Sequence, residues 1–118
     1  MATGISSYLA NSWLDALGNA TAFSVTTPYV KLHVGDPGAN GTSNAATETT
    51  RKAVSFSAAS AGALASDADV SWTNIAGSQD ATHFTAWDNL SAGNFLFSGQ
   101  LLATLTQLVT PTRFRLVV

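Results

Sequence analysis

Any chemistry in this chain must come from a short stock of side chains. There are two histidines, His33 and His83, seven carboxylates and no cysteine. Each histidine has an acid close in sequence: Asp36 follows His33, and Asp80 precedes His83. A histidine oriented by an acceptor can act as general base for a hydroxyl nucleophile. Yet no Gly-x-Ser-x-Gly elbow is present, and no motif sets a carboxylate beside either ring. Glu48 is the sole glutamate, which gives little support to a paired-carboxylate glycosidase. Asp67, Asp69 and Asp80, with His83, offer ligand atoms for a cation such as calcium. A metal site needs at least three ligands converging at fixed distances. Nothing in this spacing enforces that, and turn-forming aspartates with strand histidines explain the same residues. The expectation is therefore no catalytic residue, no metal and no cofactor. Trp13, Trp72 and Trp87 could stack on sugars if exposed, but tryptophans more often fill a core or an interface.

The elements that would position such groups follow from composition and periodicity. A chain of 118 residues fits one domain, here expected over 1–118. Hydrophobic residues make up 46% and charged residues 10%, against about 25% charged in an ordinary domain. Such a neutral surface suits a protein that lives against neighbours. Net charge is −2, and Lys31, Arg51, Lys52, Arg113 and Arg115 form no basic stripe, so nucleic-acid binding is not expected. No apolar run reaches the roughly 18 residues of a membrane span. The N-terminus lacks the basic start of a secretion signal.

Residues 4–17 predict a helix, because Ile5, Leu9, Trp13 and Leu17 recur on one face. Thr3 is the expected N-cap, with Gly18 or Asn19 as the left-handed residue at the end. Residues 19–28 read as polar and end in Thr27-Pro28, the proline setting the entry to a strand. Tyr29 to Val34 alternates as a strand, stopped by Gly35-Asp36-Pro37-Gly38. Residues 35–50 form a polar loop long enough to be functional or partner-bound. Further strands are expected at Arg51–Ser57, around Val70 and Trp72, at Thr82–Trp87, at Asn94–Leu102 with Gly99 at a bulge, and at Thr112–Val118. The inward parity predicts a core of Leu32, Val54, Trp72, Phe84, Phe95, Phe97 and Leu101. The fold class is mainly β: a single antiparallel β-sandwich or jelly-roll-like domain over about 28–118, with the short N-terminal helix.

The ordered motifs carry a family resemblance. Gly4 to Asn11 opens the chain as a short helix. "YVKLHVGDPG" follows at Tyr29 to Gly38, then a small-residue loop and an Arg-led strand, Arg51 to Phe56. Thr82-His83-Phe84, the Trp87-Asp88 turn and "GNFLFSG" at Gly93 to Gly99 complete the pattern. In this order the motifs resemble small bacteriophage minor tail or tail-fibre proteins. The resemblance implies a non-enzymatic virion structural protein, made in the bacterial cytoplasm. It points to the tail or tail tip of a siphovirus of an actinobacterial or similar host. A capsid decoration protein and a carbohydrate-binding adhesin module are the alternatives.

The partners expected are other virion proteins and further copies of the chain, a trimer included, with a host-surface glycan as an additional contact. Ile5, Leu9, Trp13, Asp36, Asn40 and Asn44 are the candidate interface residues. The first three lie on the helix stripe and the last three in the long loop.

Overall fold

The computed structural model describes residues 4–68, 70, 72, 80–105 and 115–117. Its elements run β1 (Gly4–Ile5), α1 (Ser7–Gly18), β2 (Tyr29–His33), β3 (Lys52–Ala53), β4 (Ala63–Ala65), β5 (Ala81–Trp87), β6 (Phe95–Leu105) and β7 (Arg115–Val117). The architecture is mainly β and antiparallel, with one short helix near the N-terminus. Five strands form one sheet in the order β1-β6-β5-β2-β3, and β4 pairs with β7 in a two-stranded sheet.

Alternation along β2 and β5 sorts the large sheet into two faces. Leu32 lies opposite Phe84 and Val30 opposite Ala86, so these four share one face, and Phe97 joins them across from Ala86. This is the apolar face. Leu9, Val54, Phe84, Leu96, Phe97 and Leu101 belong to its core cluster, and Ile5, Phe23, Val25 and Phe56 pack against it. Phe84 and Phe97 meet edge to face at 6.0 Å. Gly99 stands directly across from Phe84. A Cβ at Gly99 would come within 2.8 Å of the Phe84 ring. This glycine makes room for an aromatic ring; it does not mark the bulge expected from the sequence.

The register shifts of β5–β6 lie instead between Ala81 and His83 and between Ala86 and Trp87. The second shift changes the parity of the strand start. A bulge sets two residues against one and turns both the same way. Leu96 therefore joins Phe97 on the apolar side. Phe95, expected in the core, sits across from Trp87 on the other face, half-buried. The remaining core residues expected from sequence, Leu32, Val54, Trp72, Phe84, Phe97 and Leu101, are all buried.

The helix begins later than its periodicity predicts. Gly4 and Ile5 are drawn into the sheet by Ser98 and Phe97 on β6, where a β-branched isoleucine fits well. Ser6 then caps α1, its hydroxyl accepting the Leu9 N–H at 3.0 Å; Thr3, the expected cap, lies outside the described residues. The left-handed residue after the helix is Ala20, with φ 51°, one past Asn19. The Ile5–Leu17 stripe is also broken. Leu9 is 4% exposed, but Leu17 is 85% exposed, because only the first turns of α1 lie over the sheet.

The Arg51–Ser57 segment divides between two partners. Lys52 and Ala53 pair with β2, and Phe56 bridges Ser66. The Ala/Ser/Gly stretch folds into a tight hairpin turn. Ser60 and Ala63 exchange both backbone hydrogen bonds, while Ala61 and Gly62 adopt φ 51° and 75°, as a two-residue hairpin loop demands. Val70 and Trp72 are buried. In the expected C-terminal strand, Arg113, Phe114 and Val118 lie outside the described residues.

The Gly99–Phe84 contact predicts a size limit. Gly99→Ala should destabilise the domain by about 1–3 kcal/mol through overpacking. Gly18→Ala, with open space around it, should leave stability unchanged or slightly raised. Urea unfolding of both variants checks the contrast.

Candidate functional site

Two features stand out, one on each side of the large sheet. On the apolar side, α1 and the following strap at 23–28 do not close fully over the strands. They leave a groove of about 520 Å³, lined among others by Leu9, Trp13, Phe23, Val54, Phe56 and Phe97. The sequence predicts a polar strap, but Phe23 and Val25 are half-buried against the core; their i, i+2 spacing is the available signal. Trp13 forms part of the groove and remains 38% exposed. Past the groove, α1 presents Leu14 and Leu17 to solvent, 62% and 85% exposed.

On the other side, alternation places His33, Thr85 and Trp87 together; the 34–50 loop reaches over them at Gly41 to Ser43, and Ala45 then bridges His33. His33 and Thr85 are 0% exposed. For a neutral ring their hydrogen bonds admit one assignment. The Ser43 carbonyl only accepts, so His33 Nδ1 carries a proton and donates to it at 2.8 Å. Neutral His33 then accepts at Nε2 from the Thr85 hydroxyl, 3.0 Å away. Thr85 Oγ1 accepts in turn from Trp87 Nε1–H at 2.7 Å. Burial holds the His33 pKa below its ordinary value; the Ser43 and Asn44 backbone opposes this, while Lys31 and His83 reinforce it. The adjacent Lys31 is also lowered, by burial and then by Arg51.

The loop is further fastened by its backbone. Val34 N–H donates to Asn44 O, Ala46 N–H to Leu32 O and Ser43 N–H to Pro37 O, at 2.8, 3.2 and 2.9 Å. Gly41, with φ 70°, lies so close to Phe95 that a Cβ would approach the ring to 2.6 Å. The Arg51 guanidinium closes the margin. It stacks 4.3 Å over the Trp87 ring and donates to the Asn89 and Ala92 carbonyls at 2.8 and 2.7 Å. Asp88 ties that same turn, accepting from the Asn94 N–H and side-chain amide.

The six candidate interface residues thus separate into two groups. Leu9 and Trp13 meet in the groove, while Ile5 lies half-buried in β1. Asp36 and Asn44 are joined, since Asn44 Nδ2 donates to Asp36 O at 2.9 Å, and Asn40 is exposed in the turn of the loop. The two histidine–acid neighbours in sequence do not form pairs. Asp36 accepts from the Gly38 N–H, and His83 Nδ1 meets Thr82 Oγ1 at 2.8 Å. Thr85, His33 and the Ser43 carbonyl do mimic a nucleophile, a base and its orienting acceptor, but the His33 and Thr85 side chains are fully buried. Among the described residues no three potential ligands gather for a metal ion; Asp69 lies outside those residues. No helix among them is long and apolar enough to cross a membrane.

With both faces in view, the family can be stated. The model of the podophage GP4 fiber I protein gp80 family matches residues 4–112. This chain belongs to that family. It is a phage tail-fibre-associated structural protein, and the virion is its place of work. The match supports the tail-fibre part of the sequence resemblance and describes a podophage, where the motifs alone had pointed to a siphovirus. A comparison with curated proteins gave no match.

The hydrogen-bond chain predicts an asymmetric effect of two similar substitutions. Thr85→Val strands both His33 Nε2 and Trp87 Nε1 in a dry site and should cost about 2–4 kcal/mol. Thr82→Val, beside the half-buried His83, should cost under about 1 kcal/mol. Denaturant unfolding monitored by tryptophan fluorescence measures both.

Proposed function

We propose that this chain is a non-enzymatic subunit of a podophage-type tail fibre, joined to other virion proteins and to further copies of itself through the α1 side of the domain. The observation that carries this reading is the run of large apolar side chains on α1. Tyr8, Trp13, Leu14 and Leu17 are all exposed, beside an apolar groove and on a helix whose sole charge is Asp15. An isolated soluble domain gains nothing from such a face, whereas burial against a neighbour would remove it from water. A closed homo-oligomer, a trimer among the forms, would cover it symmetrically.

The 34–50 loop lies on the opposite side of the sheet, free to meet a second neighbour. Its exposed side chains are small and polar, and Asp36 and Glu48 are its only charges, so it fits a wet protein–protein contact better than a small-molecule site. The burial of Thr85 and His33 supports a role without catalysis. The family's fibre description favours the tail over a capsid decoration role, and a podophage particle over a siphovirus tail tip.

The double variant Leu14→Gln/Leu17→Gln tests the assignment. Glutamine keeps helix propensity, so the isolated domain should unfold within about 0.5 kcal/mol of wild type. Its incorporation into purified phage particles, quantified by mass spectrometry, should fall sharply. Leu9→Ala provides the contrast, with a loss of about 2–5 kcal/mol in the isolated domain. Unchanged incorporation of the double variant would exclude the α1 face as the attachment surface.

A further inference from the structure

We propose that His33 is an acid-sensitive latch, holding the 34–46 segment on the sheet while its ring is neutral and releasing it when the ring takes a second proton. This goes beyond the assembly role and does not depend on it. The chain of bonds from Trp87 Nε1–H through Thr85 and His33 to the Ser43 carbonyl has a single direction. A proton added at Nε2 turns that nitrogen from acceptor to donor. Nε2–H would then face Thr85 Oγ1, which already accepts from Trp87. Thr85 could accept both, but its own hydroxyl proton would lose its acceptor. Thr85 and His33 are fully buried, so water cannot replace the lost partner.

The charged surroundings act in the same sense. Lys31 precedes the ring by two residues on β2 and shares its face, and His83 lies directly across on β5. Both add like charge to an imidazolium. Arg51 lies further along, over Trp87, with Asp88 beside it. The loop's own carboxylates are occupied elsewhere: Asp36 with the Gly38 N–H and Glu48 with the Thr50 N–H. On β6, Ser98 and Gln100 are the uncharged neighbours of Thr85 and His83. No carboxylate among the described residues is positioned to neutralise a protonated His33.

The sign of the linkage is definite. The latched ring has a pKa below the ordinary 6.5, and a released, solvated ring returns to that value. Below 6.5 the open form therefore binds more protons than the closed one. Latching is at full strength above 6.5, weakens as pH falls from there, and levels off below the latched pKa. Opening exposes the loop while the β5–β6 ladder, held by its own backbone bonds and the apolar face, stays paired.

Amide hydrogen exchange from pH 7.5 to 4.5 reads this directly once rates are converted to protection factors. Protection at Val34, Ser43 and Ala46 should fall by up to about tenfold per pH unit below 6.5, with Thr85 and Ser98 amides unaffected. His83→Gln should keep this dependence, and His33→Gln should abolish it. Nitrogen NMR of the wild-type imidazoles gives a second readout that needs no variant. It should show His33 as the Nδ1–H tautomer with a midpoint below 6.5, coincident with loop opening. Loop protection independent of pH, dependence that survives in His33→Gln, or an Nε2–H tautomer would each overturn the latch.

Discussion

Thr85 sits in the middle of the central strand with its hydroxyl sealed from water, and the second face of the sheet is organised around what that hydroxyl can bond. A buried hydroxyl needs both a donor and an acceptor nearby. Trp87, two residues along on the same face, supplies the N–H. His33, on the neighbouring strand, supplies the lone pair, and its other nitrogen must then find an acceptor beyond the sheet. The Ser43 carbonyl meets that need. The anchoring of the 34–50 loop at Ser43 thus follows from satisfying one threonine, whereas the opposite face is held by apolar burial and tolerates looser specification.

This division explains why the two covers of the sheet differ. Over the apolar face, α1 and the 23–28 strap need only to exclude water, and they leave a groove and a helix end that project outward. Over the polar face, every group must be matched, and the cover fits closely, down to the Gly41–Phe95 contact and the Arg51–Trp87 stack. The domain thus presents one side with exposed apolar side chains and one side whose shape is closely specified.

The strands were legible because their alternation is local: Tyr29–Val34, Thr82–Trp87 and the 94–102 run each carry period two within a few residues. The helix was legible from its stripe, but its start was not, since nothing local says that Gly4 and Ile5 prefer Ser98 and Phe97 to another helical turn. The parity of Phe95 failed for the same kind of reason, as the bulge opposite Ala86 and Trp87 is a property of two strands together. Phe23 and Val25 hid in a segment whose average is polar. In the candidate interface, the Leu9–Trp13 pairing followed from spacing. The anchoring of the loop did not, because His33 and Thr85 are separated by 52 positions and read singly as ordinary polar strand residues. Trp87-Asp88 and Arg51 were recognised as motifs, yet their joint task, clamping the 88–94 turn, required the fold.

The loop is gripped by main-chain atoms, the carbonyls of Ser43 and Asn44 and the amides of Ser43 and Ala46, and by the buried Pro37 and Ala46 side chains. Gly38 and Gly41 are fixed by their backbone conformation, and Asn44 by its bond to Asp36. The exposed side chains at Ala39, Asn40 and Thr42 take no part in the grip. Substitutions at those positions can therefore change what the loop presents to its surroundings and leave the scaffold that holds it undisturbed.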